Sequence, residues 1–158
     1  MEIIIIVAVS ENNVIGSGNA IPWHIREDML HFKKLTTGWP CIMGRKTYES
    51  LPKRPLPGRE NIVLSRSAGY HPTGAVVFPS LEKALSLYKG KSEKIFICGG
   101  QAVYSAALPL ARKIEMTRVH TSVMGDVFFP AAVLDMSEWV IAAEEAHREY
   151  SFITYVRV

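Results

Sequence analysis

The sequence has neither a strong charge of one sign nor a long hydrophobic run. Its 18 Lys and Arg and 15 Asp and Glu give a net charge of only +3, so we expect no nucleic acid or membrane partner, although a local basic site for a small anion fits this balance. The longest apolar run, residues 3–9, is far shorter than the ~20 residues that span a bilayer. Glu2 stands where a signal peptide carries its cationic leader, and we therefore expect a cytoplasmic protein.

Cysteines and metal-ligand patterns are also scarce. The chain has two cysteines, Cys41 and Cys98, and each lies at the end or start of an apolar stretch, which is typical of buried reduced thiols and not of a disulfide framework. The five histidines show no spacing such as His-Glu-x-x-His. The sequence therefore predicts no metal site.

What the chain does have is enough apolar material for one core. Hydrophobic residues make up 48% of its 158 residues and charged residues 21%, which is typical of a folded globular domain. It contains no internal repeat, low-complexity tract or linker. The proline-rich segment 51–59 is interpreted as a stiff surface loop, and we expect a single domain over residues 1–158.

Apolar, β-branched segments alternate with segments of helical periodicity. The strand segments are 3–9, 40–43, 61–64, 75–78, 94–98 and 113–120, and the helical segments are 25–36, 45–51, 81–88 and 101–110. Because most strand segments are continuously apolar, they favour a parallel sheet covered on both faces, and the alternation predicts an α/β fold. Segments 138–145 and 150–158 predict a C-terminal hairpin that adds an antiparallel edge to the sheet.

A glycine-containing loop follows the first strand. Gly16 and Gly18 suggest the dinucleotide fingerprint, but Ile21 stands where its third glycine would be, and Pro22 prevents direct entry into a helix. The Rossmann interpretation therefore fails. Two interpretations of loop 10–24 stay open on composition: a lid that closes over a reaction site, or an ordinary surface loop that Trp23 anchors in the core.

The first predicted helix carries a carboxylate on its apolar face. At about 100° per residue, Asp28 falls within the arc that Ile25, Met29, Phe32 and Leu35 define. A structural role is open, either as an acid that the helix dipole favours or as one partner of a salt bridge. The functional alternative is a carboxylate that binds a cationic or amidine-like ring through two parallel hydrogen bonds, with its pKa raised by burial.

Three strand-to-helix or strand-to-loop turns have the chemistry of anion sites. They are Gly44-Arg45-Lys46-Thr47, Leu64-Ser65-Arg66-Ser67 and Gly99-Gly100-Gln101. Helix starts with bare backbone amides, hydroxyls and cations bind phosphate. Since ligands of α/β proteins bind at the carboxyl ends of parallel strands, the three turns together predict a ligand with several phosphates.

Further motifs extend over almost the whole chain in a definite order. They are Val14-Ile15-Gly16, Ile21-Pro22-Trp23, Asp28, Phe32, Ile42-Met43-Gly44-Arg45-Lys46-Thr47-Tyr48-Glu49-Ser50, Leu56-Pro57-Gly58-Arg59-Glu60-Asn61, Gly99-Gly100-Gln101-Ala102-Val103-Tyr104 and Gly125-Asp126. In this order and spacing the motifs resemble the dihydrofolate reductase family, in its bacterial chromosomal form.

The resemblance implies a three-layer α/β fold with a central eight-stranded, mostly parallel sheet, an antiparallel C-terminal edge and four flanking helices. It implies that roughly residues 40–95 form an adenosine-binding part. The implied reaction is reduction of 7,8-dihydrofolate to 5,6,7,8-tetrahydrofolate by NADPH, with hydride transfer to pterin C6 and protonation of N5 through water. Expected partners are dihydrofolate, NADPH and antifolate inhibitors, and the enzyme is expected to be a monomer that serves one-carbon metabolism.

The resemblance also assigns residues to the site. Those implied in the chemical step are Asp28, Thr117, Ile21 and Trp23. Those implied in substrate binding are Ile6, Val7, Ala8, Asp28, Met29, Phe32, Leu51, Leu56, Arg59, Cys98, Tyr104 and Thr117. Those implied in cofactor binding are Ala8, Ile15, Gly16, Asn19, Ala20, Gly44, Arg45, Lys46, Thr47, Leu64, Ser65, Arg66, Ser67, Cys98, Gly99, Gly100, Gln101, Ala102, Val103 and Tyr104.

Individual roles follow from the same resemblance. Asp28 would bind N3 and the 2-amino group of the pterin, with Thr117 bonded to it directly or through water. Arg59 would bind the α-carboxylate of the glutamate tail through two parallel N–H groups. Trp23 would belong to the closing loop, and Gly125-Asp126 to the loop that bonds the closed lid.

The chain departs from the common pattern at three places. Ala102 stands where many members carry a cofactor-binding arginine, and Arg66 replaces a frequent serine, so Arg45 and Arg66 are the candidates for the ribose 2′-phosphate. Cys98 replaces a branched aliphatic residue beside the pterin. Two rival functions stay open: a pyrimidine reductase of riboflavin synthesis, which shares the fold, and a non-catalytic nucleotide-binding regulator. The acid at Asp28 favours folate.

Overall fold

The isoleucine-rich run at the start of the chain forms a central strand of the sheet. The computed structural model describes residues 1–16, 23–130 and 137–158. Within these ranges the elements are β1 (Glu2–Ser10), β2 (Val14–Gly16), α1 (Arg26–Thr36), β3 (Cys41–Gly44), α2 (Arg45–Ser50), β4 (Asn61–Leu64), β5 (Ala75–Phe78), α3 (Leu81–Tyr88), β6 (Lys94–Ile97), α4 (Gln101–Ala107), β7 (Lys113–Val119), β8 (Val127–Phe128), β9 (Trp139–Ala146) and β10 (Tyr150–Arg157).

Eight of these strands form one sheet in the order β5-β4-β3-β6-β1-β7-β10-β9. The strands from β5 to β7 are parallel to their neighbours, whereas β10 is antiparallel to both β7 and β9. Since parallel strands point their carboxyl ends to one edge, the turns that follow β4, β3 and β6 all lie at that edge. The expected mixed sheet with an antiparallel C-terminal edge is confirmed.

The alternation of side chains along β1 divides the core into two layers. Ile5 and Val7 pack with residues of α3 and α4 on one face of the sheet. Ile4 and Ile6 pack on the other face, where Phe32 of α1 contributes to the cluster. The central strands are therefore covered on both faces, as their continuously apolar sequences predicted, whereas the edge strand β9 is exposed over most of its length.

The element boundaries differ from the predictions where proline intervenes. The fourth helix ends at Ala107 and not at residue 110, because Pro109 has no N–H to extend the hydrogen-bond ladder. For the same reason the predicted strand 40–43 begins at Cys41, after Pro40. None of the described helices is both long and apolar enough to cross a membrane.

A second, two-stranded sheet was not predicted. Strand β2 pairs with β8 in antiparallel fashion, with Val14 opposite Phe128, in a region that the sequence indicated as one long loop. Strands of three and two residues are too short to give a periodic pattern. Their pairing fixes the base of the loop that leads into residues 17–22.

Candidate active site

Asp28 lies in the first turn of α1 and contacts the sheet through Thr117. The Thr117 hydroxyl donates to Asp28 Oδ1 over 2.7 Å. Thr117 is only 3% exposed and stands on β7 between Ala8 of β1 and Phe152 of β10. The carboxylate is therefore held over the middle of the sheet by a buried hydroxyl, and the predicted contact between these two residues is present.

Burial and neighbouring charges bear on the structural and functional interpretations of Asp28. Burial raises the pKa of its carboxyl above the ordinary 3.8, while the Thr117 hydrogen bond and the charge of His31 act in the opposite direction. The ion pairs among the described residues are Arg45 with Glu49 and His147 with Glu145. Neither pair includes Asp28, so the salt-bridge alternative receives no support, whereas the favourable position at the helix start remains.

Apolar side chains lie on the same face of the sheet as this carboxylate. Phe32 and Leu56 are partly buried and pack with Ile6 on the α1 face of the sheet, and Met29 is 50% exposed beside Asp28 on α1. Val7 differs from the others, because its side chain packs into the cluster on the opposite face. Only the backbone of Val7 is available to this side of the sheet.

Arg59 lies at the other end of α1. Its Nη1 donates to Thr36 Oγ1 over 3.0 Å and its Nε to the Pro57 carbonyl over 2.9 Å, and its guanidinium lies 5.6 Å from the centre of the Phe32 ring. Eight residues separate Asp28 from Thr36, which is about 12 Å along a helix axis. An acid at one end and a guanidinium at the other suit an elongated ligand that has a donor-rich ring at one end and a carboxylate at the other.

A backbone hydrogen bond joins the turn after β3 to the turn after β6. The Gly44 N–H donates to the Gly99 carbonyl over 2.9 Å, and Gly99, with φ +126° and a cis bond to Gly100, adopts a conformation that other residues rarely adopt. A Cβ atom on Gly100 would lie 3.3 Å from Thr47 Oγ1. The three glycines thus leave backbone and hydroxyl groups bare at the starts of α2 and α4.

Tyr104 connects this cradle to strand β1. Its hydroxyl donates to the Ile6 carbonyl over 2.8 Å, and burial raises the pKa of Tyr104 well above its ordinary range, so the phenol stays a donor. Cys98 directly follows β6 and is partly exposed, unlike Cys41, which is buried; both thiols are free. A hydrogen bond with Cys41 and burial raise the pKa of Cys98, so its thiol stays neutral.

The third turn lines a separate open pocket of about 600 Å³, which the connection from β4 to β5 forms together with β5. Ser65, Arg66 and Ser67 contribute to its wall together with Tyr70 and His71. Arg45 does not point freely into solvent, because its guanidinium lies 4.1 Å from the centre of the Tyr70 ring and pairs with Glu49. The sequence did not predict Tyr70 or His71, since they lie in an irregular segment without a motif.

The remaining predicted cofactor residues are spread around the same edge. Val103 packs 3.5 Å from the position of a Cβ on Gly44, and Ile15 and Leu64 are partly buried against the core. Lys46, Gln101 and Ala102 are exposed at the starts of α2 and α4. The donors, cations and bare backbone of these turns fit a dinucleotide that carries phosphates, so NADP(H) is compatible with the residues present.

The loop predicted as a lid is described only at its ends. Asn19, Ala20 and Ile21 lie outside the described residues, and Trp23 is partly buried at the start of the next described segment. At the other end, Arg118 Nη1 donates to the Ser10 carbonyl over 2.9 Å and to Asn13 Oδ1 over 3.0 Å. The sequence did not predict these hydrogen bonds, because no sequence motif connects residues that are so far apart in the chain.

A second loop packs directly on this base. Asn12 Nδ2 donates to the Val123 carbonyl over 2.8 Å, and a Cβ on Gly125 would lie 2.6 Å from the Gly16 carbonyl oxygen. Glycine is therefore required where the two loops touch. That Asp126 bonds the closed lid stays a prediction.

The fold and the site fit one class of protein, the α/β enzymes that bind a phosphate-bearing dinucleotide next to a flat ring. A family model described as "Dihydrofolate reductase" matches residues 2–157. The chain belongs to the dihydrofolate reductase family. The family resemblance, the enzyme class and the use of NADPH that the motifs implied are thereby confirmed.

Individual relatives cover the chain from end to end. Dihydrofolate reductase of Neisseria meningitidis serogroup A is 48% identical over 163 residues, which cover 99% of each chain, and that of Neisseria gonorrhoeae is 48% identical over 99% of this chain and 98% of the relative. A solved dihydrofolate reductase from Enterococcus faecalis, complexed with NADP(H) and RAB-propyl, is 31% identical and superposes with a TM-score of 0.90 over 99% of this chain and 96% of its own.

Proposed function

We propose that this protein reduces 7,8-dihydrofolate to 5,6,7,8-tetrahydrofolate with NADPH, and that Asp28 orients the substrate. The observation that carries the proposal is the partly buried Asp28 carboxylate, which takes one hydrogen bond from Thr117 among apolar side chains. A pterin edge presents an N–H and an amino group in parallel and supplies donors for a carboxylate. Desolvation makes both hydrogen bonds stronger than they would be in water.

Asp28 positions and polarises the ring and does not protonate it directly. A carboxylate bonded at N3 and the 2-amino group lies at the opposite end of the bicyclic ring from N5, so the proton for N5 arrives through water. The apolar walls at Ile6, Met29 and Phe32 keep other water away from the reacting carbon. Arg59 binds the glutamate α-carboxylate and fixes the far end of the substrate.

The cofactor is assigned to the joined turns after β3 and β6 and to the pocket at Arg66. When bound, NADPH supplies the hydride. The bare amides and Thr47 at the starts of α2 and α4 bind its phosphates, and Arg45 and Arg66 bind the 2′-phosphate. Arg66→Ser should raise the KM for NADPH about tenfold, the loss of ~1.4 kcal/mol, and leave the KM for NADH unchanged; an equal change for both cofactors would contradict the assignment.

One assay separates the proposed function from its rivals. We expect the purified protein to oxidise NADPH when dihydrofolate is added, followed by absorbance, and not when a ribosylamino-pyrimidine is added. A pyrimidine reductase would give the reverse result. A non-catalytic regulator would bind NADPH, detected by fluorescence, without oxidising it in either mixture.

The cellular setting is part of the same proposal. We expect one domain over residues 1–158 that acts as a cytoplasmic monomer, binds antifolate inhibitors at the Asp28 pocket and has no nucleic acid or membrane partner. The small net charge of +3, spread along the chain, supports the last point. Sedimentation of the purified protein at several concentrations tests the monomer, and a mass that rises with concentration would contradict it.

A further inference from the structure

Helix α1 carries an imidazole, His31, one turn beyond Asp28. The His31 ring stacks on Phe152 with 3.8 Å between ring centroids and 9° between the planes. Phe152 is the β10 residue that pairs with Thr117, the residue that bonds Asp28. Asp28 and His31 therefore contact two side chains that are direct neighbours in the sheet.

Carboxylates surround this imidazole on several elements. From β7, Glu115 lies on the same face as Thr117, and its Oε2 accepts from Thr154 Oγ1 over 2.9 Å. From β9, Glu145 is opposite Phe152 in the strand register. On α1 itself the charged groups that act on His31 are Asp28 and Lys34.

The ionisation of His31 and that of Asp28 are linked. Burial lowers the pKa of His31, while Glu115, Asp28 and Glu145 raise it and Lys34 lowers it. The charge of His31 in turn lowers the pKa of Asp28, which burial raises. The charges of His31 and Asp28 therefore act on each other, and each favours the ionised form of the other.

We propose that His31 is a positioning residue of the reductase, which holds α1 on β10 through its stack and, when protonated, stabilises the ionised form of Asp28. The proposal rests on the proposed function, in which Asp28 orients the pterin. A purely aromatic spacer would provide the stack alone. The stack accounts for a flat ring at this position, but only the imidazole adds a charge that changes with pH.

The direct test measures the ionisation of Asp28 in the unliganded protein. The carbon-13 signal of its carboxyl is followed against pH after aspartate labelling; the chain has three aspartates, and Asp28→Asn identifies the signal. His31→Phe keeps a ring on Phe152 and removes the charge, and we expect it to decrease the acid dissociation constant of Asp28 about three- to tenfold. His31→Lys, which keeps a cation, should restore or exceed the wild-type constant.

A matched control uses the neighbouring imidazole. His147 lies edge-on to the same Phe152, at 5.8 Å between centroids, and pairs with Glu145. It is not among the groups that shift the pKa of Asp28. His147→Phe should therefore leave the Asp28 titration unchanged, and an unchanged titration in His31→Phe, or an equal change in His147→Phe, would overturn the proposal.

A second measurement avoids any substitution of His31. Coupling is reciprocal, so the imidazole signals of His31 should titrate at lower pH in Asp28→Asn than in the wild type. Identical His31 titrations in the two proteins would also overturn the proposal.

Rate measurements separate this proposal from the proposed function. The acid limb of the kcat/KM profile for dihydrofolate should move to higher pH in His31→Phe. If the carboxyl titration moves and the rate profile does not, then the role of Asp28 in turnover is wrong although its coupling to His31 stands. If the carboxyl titration does not move, then the role of His31 is wrong whatever the rates show.

Discussion

Replacement of Asp28 by Asn removes the charge at the centre of the proposed site and keeps its shape. Both carboxylate oxygens of Asp28 are acceptors, and Oδ1 already accepts from Thr117. An asparagine has one oxygen acceptor and would present an amide donor to the donors of the ring. Two charge-assisted hydrogen bonds of ~1.5–3 kcal/mol each are weakened or lost. At ~1.4 kcal/mol per tenfold, kcat/KM for dihydrofolate should fall about 10²- to 10⁴-fold near neutral pH.

The decrease in kcat/KM of Asp28→Asn should be smaller at low pH, because the substrate is then already protonated in solution. The assay is the pH profile of kcat/KM, measured by NADPH consumption on wild type and Asp28→Asn. Glu27→Gln removes a carboxylate from the exposed neighbouring position of the same helix and should leave the rates unchanged. Full activity of Asp28→Asn at neutral pH would remove Asp28 from the mechanism.

Stability provides the check that the loss is not a folding defect. Because burial raises the pKa of Asp28 above 3.8, the folded chain binds this proton more tightly than the unfolded chain does. The contribution of Asp28 to the free energy of unfolding therefore falls as the pH rises above 3.8. At neutral pH the urea midpoint of unfolding of Asp28→Asn should equal or exceed that of wild type. A much lower midpoint would mean that the activity is lost because the fold is destabilised.

Two further substitutions test the ends of the site. Arg59→Lys loses one of the two parallel hydrogen bonds to the substrate carboxylate and should raise the KM for dihydrofolate about tenfold, or ~1.4 kcal/mol, with kcat unchanged. The control is Arg54→Lys, which should leave this KM unchanged, because the Arg54 guanidinium donates to a backbone carbonyl of α2. Equal KM values for the two variants would contradict the assignment of Arg59. Gly99→Ala places a Cβ 3.4 Å from Tyr104 Oη at φ +126° and should raise the Kd for NADPH about tenfold. Gly90→Ala also puts an alanine at a positive φ, +83°, with nothing within 4 Å of its Cβ. Its NADPH affinity, measured by fluorescence, should match wild type, and equal losses in the two variants would mean that the positive φ alone lowers the affinity.

Strands could be predicted where a continuous apolar run is bounded by turn residues, even at the partly exposed β5. Residues 61–64 and 75–78 were predicted with the bounds that the structure has, since continuous β-branched runs bounded by turn residues leave little choice of register. Strands β2 and β8 were missed because their order comes from pairing with each other and not from local pattern. Tertiary contact, which the sequence does not display, decides such short elements.

In the site, too, some residues could be predicted from the local sequence pattern and others could not. Asp28 could be identified because a carboxylate on the apolar face of a helix costs free energy when buried, unless it is paired with another group. His31 was missed because a histidine next to that arc is unremarkable until β10 is known to bring Phe152 beneath it. Arg118 was missed for the same reason, since its bonds to Ser10 and Asn13 cross more than a hundred residues of chain.

The strand order explains why modest turn motifs become one extended site. The turns after β4, β3 and β6 are far apart in sequence, yet these strands are consecutive in the sheet and parallel. The next two strands, β1 and β7, carry Ile6 and Thr117. Across the strands the order is therefore basic pocket, joined glycine turns, apolar wall at Ile6 and, against Thr117 of β7, the Asp28 carboxylate of α1. A dinucleotide laid across these strands, with its phosphates at β4, β3 and β6, would bring its nicotinamide ring to β1, next to the pterin pocket at Asp28 and Thr117. We therefore expect the hydride transfer at β1 and β7 and the anion contacts at β4, β3 and β6.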